Sequence, residues 1–248
     1  MKIAIITGAG TGIGRACALS LVKMDYRIYL VGRREEALIE TKTQALELAN
    51  NMLVHACDLT EEKQVEALFQ RVEDEQGRLD LLFNNAGMNT DAVPPDALPL
   101  KSFKQVMDVN VNAVFHCASK AFAIMKKQNP QGGRIINNGS ISAQMPRPFS
   151  APYTASKHAI TGLTKALSLD GREFDICVGQ IDIGNATTNM TTKMNDGVLQ
   201  ANGDIKAEAC MDVQNVADAF CYMASRPLDT NILQLNVMAN NMPFVGRG

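Results

Sequence analysis

Short apolar runs alternate along the chain with longer stretches whose apolar residues recur every three or four positions. The runs at 2–7, 27–31, 52–56, 79–83, 134–138, 176–181 and 232–237 have the length and β-branched content of strands. Between them, 34–49 is rich in Glu, Ala and Leu. The stretch 61–75 carries Val65, Leu68, Phe69 and Val72 at helical spacing. The stretch 111–127 does the same with Val111, Val114, Phe115, Ala118, Phe122 and Met125. Another helical pattern starts at Tyr153 and runs to Leu169. Apolar strands alternating with amphipathic helices predict an α/β fold, a parallel sheet with helices on both faces. No repeat, low-complexity tract or Pro/Gly/Ser linker divides the chain, so one domain over 1–248 is expected. Irregular stretches at 89–99 and 184–212 follow predicted strands, where such sheets place their ligand-binding loops. The second contains Met190, Met194, Val198 and Leu199 among polar residues, and 187–212 reads as a substrate lid. Gln144, Met145, Pro146 and Phe149 read as the opposite wall.

Charge changes this picture little. The 24 basic and 26 acidic side chains leave a net charge of −2, which gives no general reason to bind nucleic acid or an anionic membrane. No run approaches the ~18 apolar residues of a membrane span, and the apolar N-terminal run is cut by Thr7 and Gly8, too early for a signal-peptide core. The six cysteines are scattered without a CxxC pair, as in reduced proteins of the cytoplasm.

Candidate chemistry sits at two places. The first is the turn after the first strand, Gly8, Gly10, Thr11, Gly12, Ile13 and Gly14, which opens the first helix. Glycines here let the backbone turn tightly and approach a pyrophosphate, and the helix N-terminus offers N–H groups and a positive dipole end. The second strand ends in Gly32-Arg33-Arg34, where an NAD site places a carboxylate for the ribose 2′-hydroxyl. Guanidinium groups suit a 2′-phosphate instead, which favours NADP(H) over NAD(H). After the third strand, Asp58 and Leu59 stand where the adenine would lie; Asp58 suits either the adenine amino group or the cap of the following helix.

The second place is the helical stretch holding Tyr153 and Lys157, whose i, i+4 spacing puts them on one face. A free phenol titrates near pH 10, and a neighbouring ammonium favours its ionised form. The pair therefore suits proton exchange with an alcohol or carbonyl oxygen. Ser140 lies just past the fifth strand, with a hydroxyl able to donate to the same oxygen. Asn84-Asn85-Ala86-Gly87 follows the fourth strand, and Asn110 opens the long helix after it.

In these segments the chain resembles the short-chain dehydrogenase/reductase family in its single-domain form. The resemblance rests on TGAGTGIG at 7–14, NNAG at 84–87, Asn110 in DVNVNAVF, Ser140 in IINNGSIS and YTASK at 153–157, in that order. It implies a Rossmann-type doubly wound sheet of seven parallel strands and a nicotinamide cofactor. It implies a tetrad in which Tyr153 is the general acid or base, Ser140 polarises the carbonyl, and Lys157 favours the phenolate and holds the nicotinamide ribose. Asn110 would position a water. Asn85, Ala86 and Gly87 would line the adenosine side. It also implies a homotetramer or homodimer. The family's Pro-Gly after the sixth strand is here Ile183-Gly184, with Thr187 as the residue expected to touch the cofactor amide. The segment 227–232 and Gly32-Arg33-Arg34 resemble NADP-dependent enzymes of 3-hydroxy acids such as serine.

Other readings fare worse. His55, His116 and His158 show no paired ligand spacing such as HExxH, so no metal is expected. No GxSxG elbow supports a hydrolase. A binding-only regulator has no chemical need for Ser140, Tyr153 and Lys157 together. Dehydratases and epimerases with the same Tyr–Lys pair are usually longer, with an added substrate domain. The expected activity is reversible hydride transfer between NADP(H) and a small-molecule carbonyl or alcohol, with a 3-hydroxy acid or 3-oxoacyl substrate as the narrower alternatives.

Overall fold

A computed structural model describes residues 1–188 and 197–245. The lid expected over 187–212 therefore lies partly outside the described residues, and Met190 and Met194 fall there.

Seven strands form one parallel sheet: β1 (Lys2–Thr7), β2 (Tyr26–Gly32), β3 (Met52–Ala56), β4 (Leu81–Asn84), β5 (Gly133–Asn138), β6 (Ile176–Ile183) and, last in the chain, β9 (Gln234–Val237). Their order is β3-β2-β1-β4-β5-β6-β9, so the winding reverses between β1 and β4. Strands buried on both sides must be apolar on both sides, and β1 shows why. Ala4 and Ile6 enter the core on one face, and Ile3 and Ile5 enter the core on the other. The first face is covered by α1 (Gly12–Leu21) and α7 (Val213–Ala224), and Phe83 stacks on Phe220 with centroids 4.4 Å apart. The second is covered by α3 (Glu62–Gln76), α5 (Ala113–Lys127) and α6 (Ala151–Asp170).

Three elements depart from the periodicity. The helix expected over 34–49 is α2 (Glu35–Gln44), followed by a 3₁₀ segment, Leu46–Asn51. Leu46 has φ +52°, a left-handed conformation that an α-helix does not continue through. The helix expected from 111 starts much earlier. It begins as α4 (Leu100–Met107), widens into a π-turn at Asp108–Asn112 and runs on as α5. Asn110 therefore sits in the π-turn and does not open the helix. The loop 184–212 holds a short antiparallel hairpin, β7 (Val198–Leu199) with β8 (Ile205–Lys206).

Candidate active site

The crevice of such a sheet opens at the carboxyl ends of the strands, beside the reversal between β1 and β4. The turn after β1 is built around close contacts. A Cβ on Gly14 would collide with the Gly8 carbonyl and lie 2.6 Å from Asn85 Nδ2, so only glycine fits. Asn85 holds the turn from the β4 side. Its Nδ2 donates to the carbonyl of Thr7 at 2.9 Å, and its backbone N–H donates to Thr7 Oγ1 at 2.9 Å. Thr11 is the N-cap residue of α1 but makes no side-chain cap, and no acid stands in the first turn. That end of the helix thus keeps its donors and its positive dipole for an anion, and it fits a dinucleotide pyrophosphate. Arg15 braces the turn from outside, donating through Nη2 to the Gly10 carbonyl at 2.6 Å while pairing with Glu40.

Arg33 and Arg34 are both exposed at the end of β2. Arg34 lines a groove of about 800 Å³ together with Thr11, Gly12, Arg15 and Thr188. Most of this groove runs along α1 and α2, past Ala16, Leu19, Ala37 and Gln44; it reaches the glycine turn at Thr11 and Gly12 and does not include Ser140 or Tyr153. Asp58 uses Oδ1 to accept from both the N–H and the hydroxyl of Thr60. Those bonds, chiefly the backbone one, outweigh burial and with Arg33 nearby hold its carboxyl below the usual range. Leu59 beside it packs on the α3-side core.

Of the four residues expected to act together, Lys157 reaches the end of β5 beside Tyr153, Ser140 follows that strand, and Asn110 reaches α6 through Ser156. Lys157 is buried, and its Nζ donates to the Asn138 carbonyl at 2.7 Å while lying 5.4 Å from the centre of the Tyr153 ring. Asn138 in turn donates from Nδ2 to Asn85 Oδ1 at 2.9 Å. Lys157, Asn138 and Asn85 so connect the helix of the Tyr–Lys pair to the glycine turn. Ser140 is buried two residues beyond Asn138, and its Oγ accepts from the N–H of Ser142 at 3.1 Å. Asn110 is buried and fully engaged. Its Oδ1 accepts from Met88 N–H, and its Nδ2 donates to the Met88 carbonyl and, at 3.0 Å, to Ser156 Oγ. Ser156 donates to the Tyr153 carbonyl at 2.7 Å, which ties the π-turn to α6. Ala86 and Gly87 lie between these two ends, with the Ala86 N–H donating to Thr7 Oγ1 and a Cβ on Gly87 standing 3.3 Å from Asn110 Oδ1.

After β6, Gly184 N–H donates to the Val237 carbonyl. Thr187 donates its hydroxyl to the Met211 carbonyl at 3.2 Å and lines the same groove as Thr11 and Gly12. Thr188 is the neighbour that packs on the glycine turn, its methyl carbon 3.3 Å from where a Cβ on Gly12 would stand. Ile13 packs inward against the α1-side core. Beyond lies a buried polar cluster. Arg147 pairs with Glu208, and Asn185 and Gln200 also donate to Glu208. Burial would raise the Glu208 carboxyl, but Arg147, Gln200 and Asn185 together hold it below its ordinary value. Of the predicted wall, Met145 and Phe149 remain exposed.

Thr188, the Asn138 carbonyl and a buried Asp182 on β6 complete the neighbourhood, and none of them is marked by a motif. Among the described residues, the ligand atoms of Glu62, Glu66 and His116 lie within 4.8 Å of one another. They are set on α3 and α5 away from the crevice, and Lys120 already donates to Glu66 at 2.7 Å. His158 and His55 are held by the Thr154 carbonyl and by Arg71.

The sequence profile of the short chain dehydrogenases matches residues 2–199. A 3beta-hydroxysteroid dehydrogenase of Mediterraneibacter gnavus is 32% identical over 207 residues, 84% of this chain and 74% of that protein. A Brucella melitensis 3-ketoacyl-(acyl-carrier-protein) reductase complexed with NADH has a similar structure, with a TM-score of 0.85 at 25% identity, covering 97% of this chain and 98% of that one. An actinorhodin polyketide ketoreductase with NADPH reaches a TM-score of 0.86 at 26% identity, covering 96% and 95%.

Proposed function

The chain belongs to the short-chain dehydrogenase/reductase family and is an oxidoreductase of alcohol and ketone groups, and from that premise we propose an NADP(H)-dependent enzyme whose tetrad is Asn110, Ser140, Tyr153 and Lys157. The observation that carries the proposal is Lys157, anchored on the Asn138 carbonyl and set against the Tyr153 ring.

When bound, the nicotinamide supplies or accepts the hydride. The protein supplies the proton and the frame. Tyr153 gives a proton to the reacting oxygen in reduction and takes it in oxidation. Ser140 donates to the same oxygen from a fixed turn. Lys157, held beside Tyr153 by the Asn138 carbonyl, holds the ribose. Asn110, its side chain held by Met88 and Ser156, keeps the π-turn and α6 in register; the water toward Lys157 is a role the family resemblance assigns to it. The glycine turn Gly8, Gly10, Thr11, Gly12, Ile13 and Gly14 takes the pyrophosphate. Asp58, Leu59, Asn85, Ala86 and Gly87 line the adenosine side. Gly184 and Thr187 carry the loop over the nicotinamide, with Thr188 added from its contact above Gly12. Arg33 and Arg34 take the 2′-phosphate, an assignment supported by their charge, their exposure and the lack of an acid at the end of β2.

The substrate is a small-molecule carbonyl or secondary alcohol. Exposed Met145 and Phe149 favour a partly apolar one. The similar proteins act on hydroxysteroids, ketoacyl groups and polyketides. A panel of hydroxysteroids, 3-oxoacyl thioesters, 3-hydroxy acids and simple ketones, followed by nicotinamide absorbance, tests the reading. Turnover that disappears in Tyr153→Phe supports it, and undiminished turnover in that variant rejects it. The chain assembles as a homotetramer in the cytoplasm, a reading supported by exposed Tyr222 on α7 and Leu233 before β9 and by six free cysteines. No helix among the described residues is long and apolar enough to cross a membrane. Light scattering is expected to give four chains at micromolar concentration, and a monomer there rejects the assembly.

A further inference from the structure

We infer that Asp182 is a positioning residue for Ser140, an inference that rests on the reading of Ser140 as the hydroxyl that polarises the reacting oxygen. Every residue of β6 is buried, and Asp182 is its only acid. A buried carboxylate is costly unless its oxygens are hydrogen-bonded. Here they are. Oδ1 accepts from the Ser140 N–H at 2.9 Å and from Gln180 Nε2 at 2.6 Å, and Oδ2 accepts from Gln234 Nε2 at 2.5 Å. No cation pairs with it among the described residues. Its partners are thus neutral donors, and one of them is the backbone of Ser140 itself.

The carboxylate also shapes the segment that carries Ser140. A Cβ on Gly139 would run into Asp182 Oδ1 and stand 2.8 Å from Gln180 Nε2, so the backbone of 138–140 lies directly against the acid. That segment presents the Asn138 carbonyl to Lys157 and then Ser140. Ser140 is extended at φ −168°, ψ 147°, and caps the single turn Ile141–Ala143 with its Oγ. Its main-chain nitrogen is thus held from β6 and its side-chain oxygen from the turn after it. Gln180 carries the connection to the helix of the Tyr–Lys pair, donating to Thr161 Oγ1 at 3.1 Å, while Thr161 donates to the Lys157 carbonyl at 3.2 Å. Asp182 therefore holds the turn that presents Ser140 between β5, β6 and β9, and misplacement by a fraction of an ångström at such a point lowers the rate.

The test measures kcat, KM and NADPH binding, the last by nicotinamide fluorescence, in Asp182→Ala, Asp182→Asn, Ser140→Ala and the combinations with Ser140→Ala. Asp182→Ala is expected to lower kcat about 10–100-fold, with NADPH affinity and carbonyl KM within about twofold of the parent. Asp182→Asn keeps an acceptor for Ser140 and is expected to lose only about threefold. Both losses should vanish when Ser140 is already alanine. Should Asp182→Ala not fold, Asp182→Asn decides: kcat at the parent level, or a loss that persists undiminished in Ser140→Ala, overturns the inference. Unchanged kcat in Ser140→Ala alone instead overturns the role given to Ser140.

Discussion

Tyr153 and Lys157 were legible from spacing because an i, i+4 pair on a helix shares a face wherever the helix goes. Their setting was not legible. Lys157 is held by the carbonyl of Asn138, and a backbone acceptor leaves no mark on residue type. Thr188 is a similar case: two adjacent threonines read alike, and only the packing of the Thr188 methyl against Gly12 shows that it too borders the glycine turn. Asp182 did leave a signal, as the one acid in the sixth strand, but its meaning needs the three donors around it. At this scale the expected outcome concerns the proton. General acid–base catalysis by a positioned side chain is worth roughly 10²–10⁴-fold, so Tyr153→Phe should lower kcat by that factor. NADPH binding, read by nicotinamide fluorescence, should stay within a few-fold. A variant that also fails to bind cofactor would move Tyr153 from proton transfer to cofactor support.

Periodicity located the sheet because parallel strands must be apolar on both faces, and each of the seven strands lies within a few residues of its expected place. It located helix ends less well. The break at Leu46 comes from one left-handed residue, and the π-turn at Asp108–Asn112 buries a polar residue, Asn110, where an apolar period has none to read. That turn makes Asn110 a structural as well as a functional residue. Asn110→Ala would leave the half-buried Met88 N–H and carbonyl without their partner, at about 1 kcal/mol for each. Denaturant midpoints should drop accordingly even without substrate, and unchanged midpoints would show that the Met88 loop relaxes freely. The Arg147–Glu208 cluster predicts a pH dependence. Glu208 titrates lower in the folded chain than in the unfolded one, whose Glu titrates near ~4.3. Its contribution is then complete above that value and is lost as pH falls through the depressed one. Comparing Glu208→Gln with the parent by denaturation, the stability gap should be full from pH 6 to 7, as an order-of-magnitude window, and close under acid conditions. A gap that widens as pH falls contradicts this sign.

Over the whole molecule, the order β3-β2-β1-β4-β5-β6-β9 sets the glycine turn and the Tyr–Lys helix on the same edge of the sheet. The chain between them, Thr7–Asn85–Asn138–Lys157, is continuous through hydrogen bonds. A dinucleotide spanning both ends binds the folded chain only, because the unfolded chain holds neither end in place. Ligand at about 100 times its Kd then adds roughly 2.7 kcal/mol, and for a chain of this size each kcal/mol raises Tm by about 2–4 °C. NADPH should therefore raise Tm by about 5–10 °C. The 2′-phosphate is where the two cofactors differ. A hydrogen bond to a charged group contributes about 1.5–3 kcal/mol, so NADH should give a smaller rise. In Arg33→Ala, the NADPH and NADH shifts should converge, and kcat/KM for NADPH should fall about 10–100-fold with little change for NADH. The glycine turn and tetrad are untouched in that variant, so loss with both cofactors would point to misfolding. A parent stabilised equally by both cofactors would take the 2′-phosphate away from Arg33 and leave the end of β2 as a neutral rim to the adenosine site.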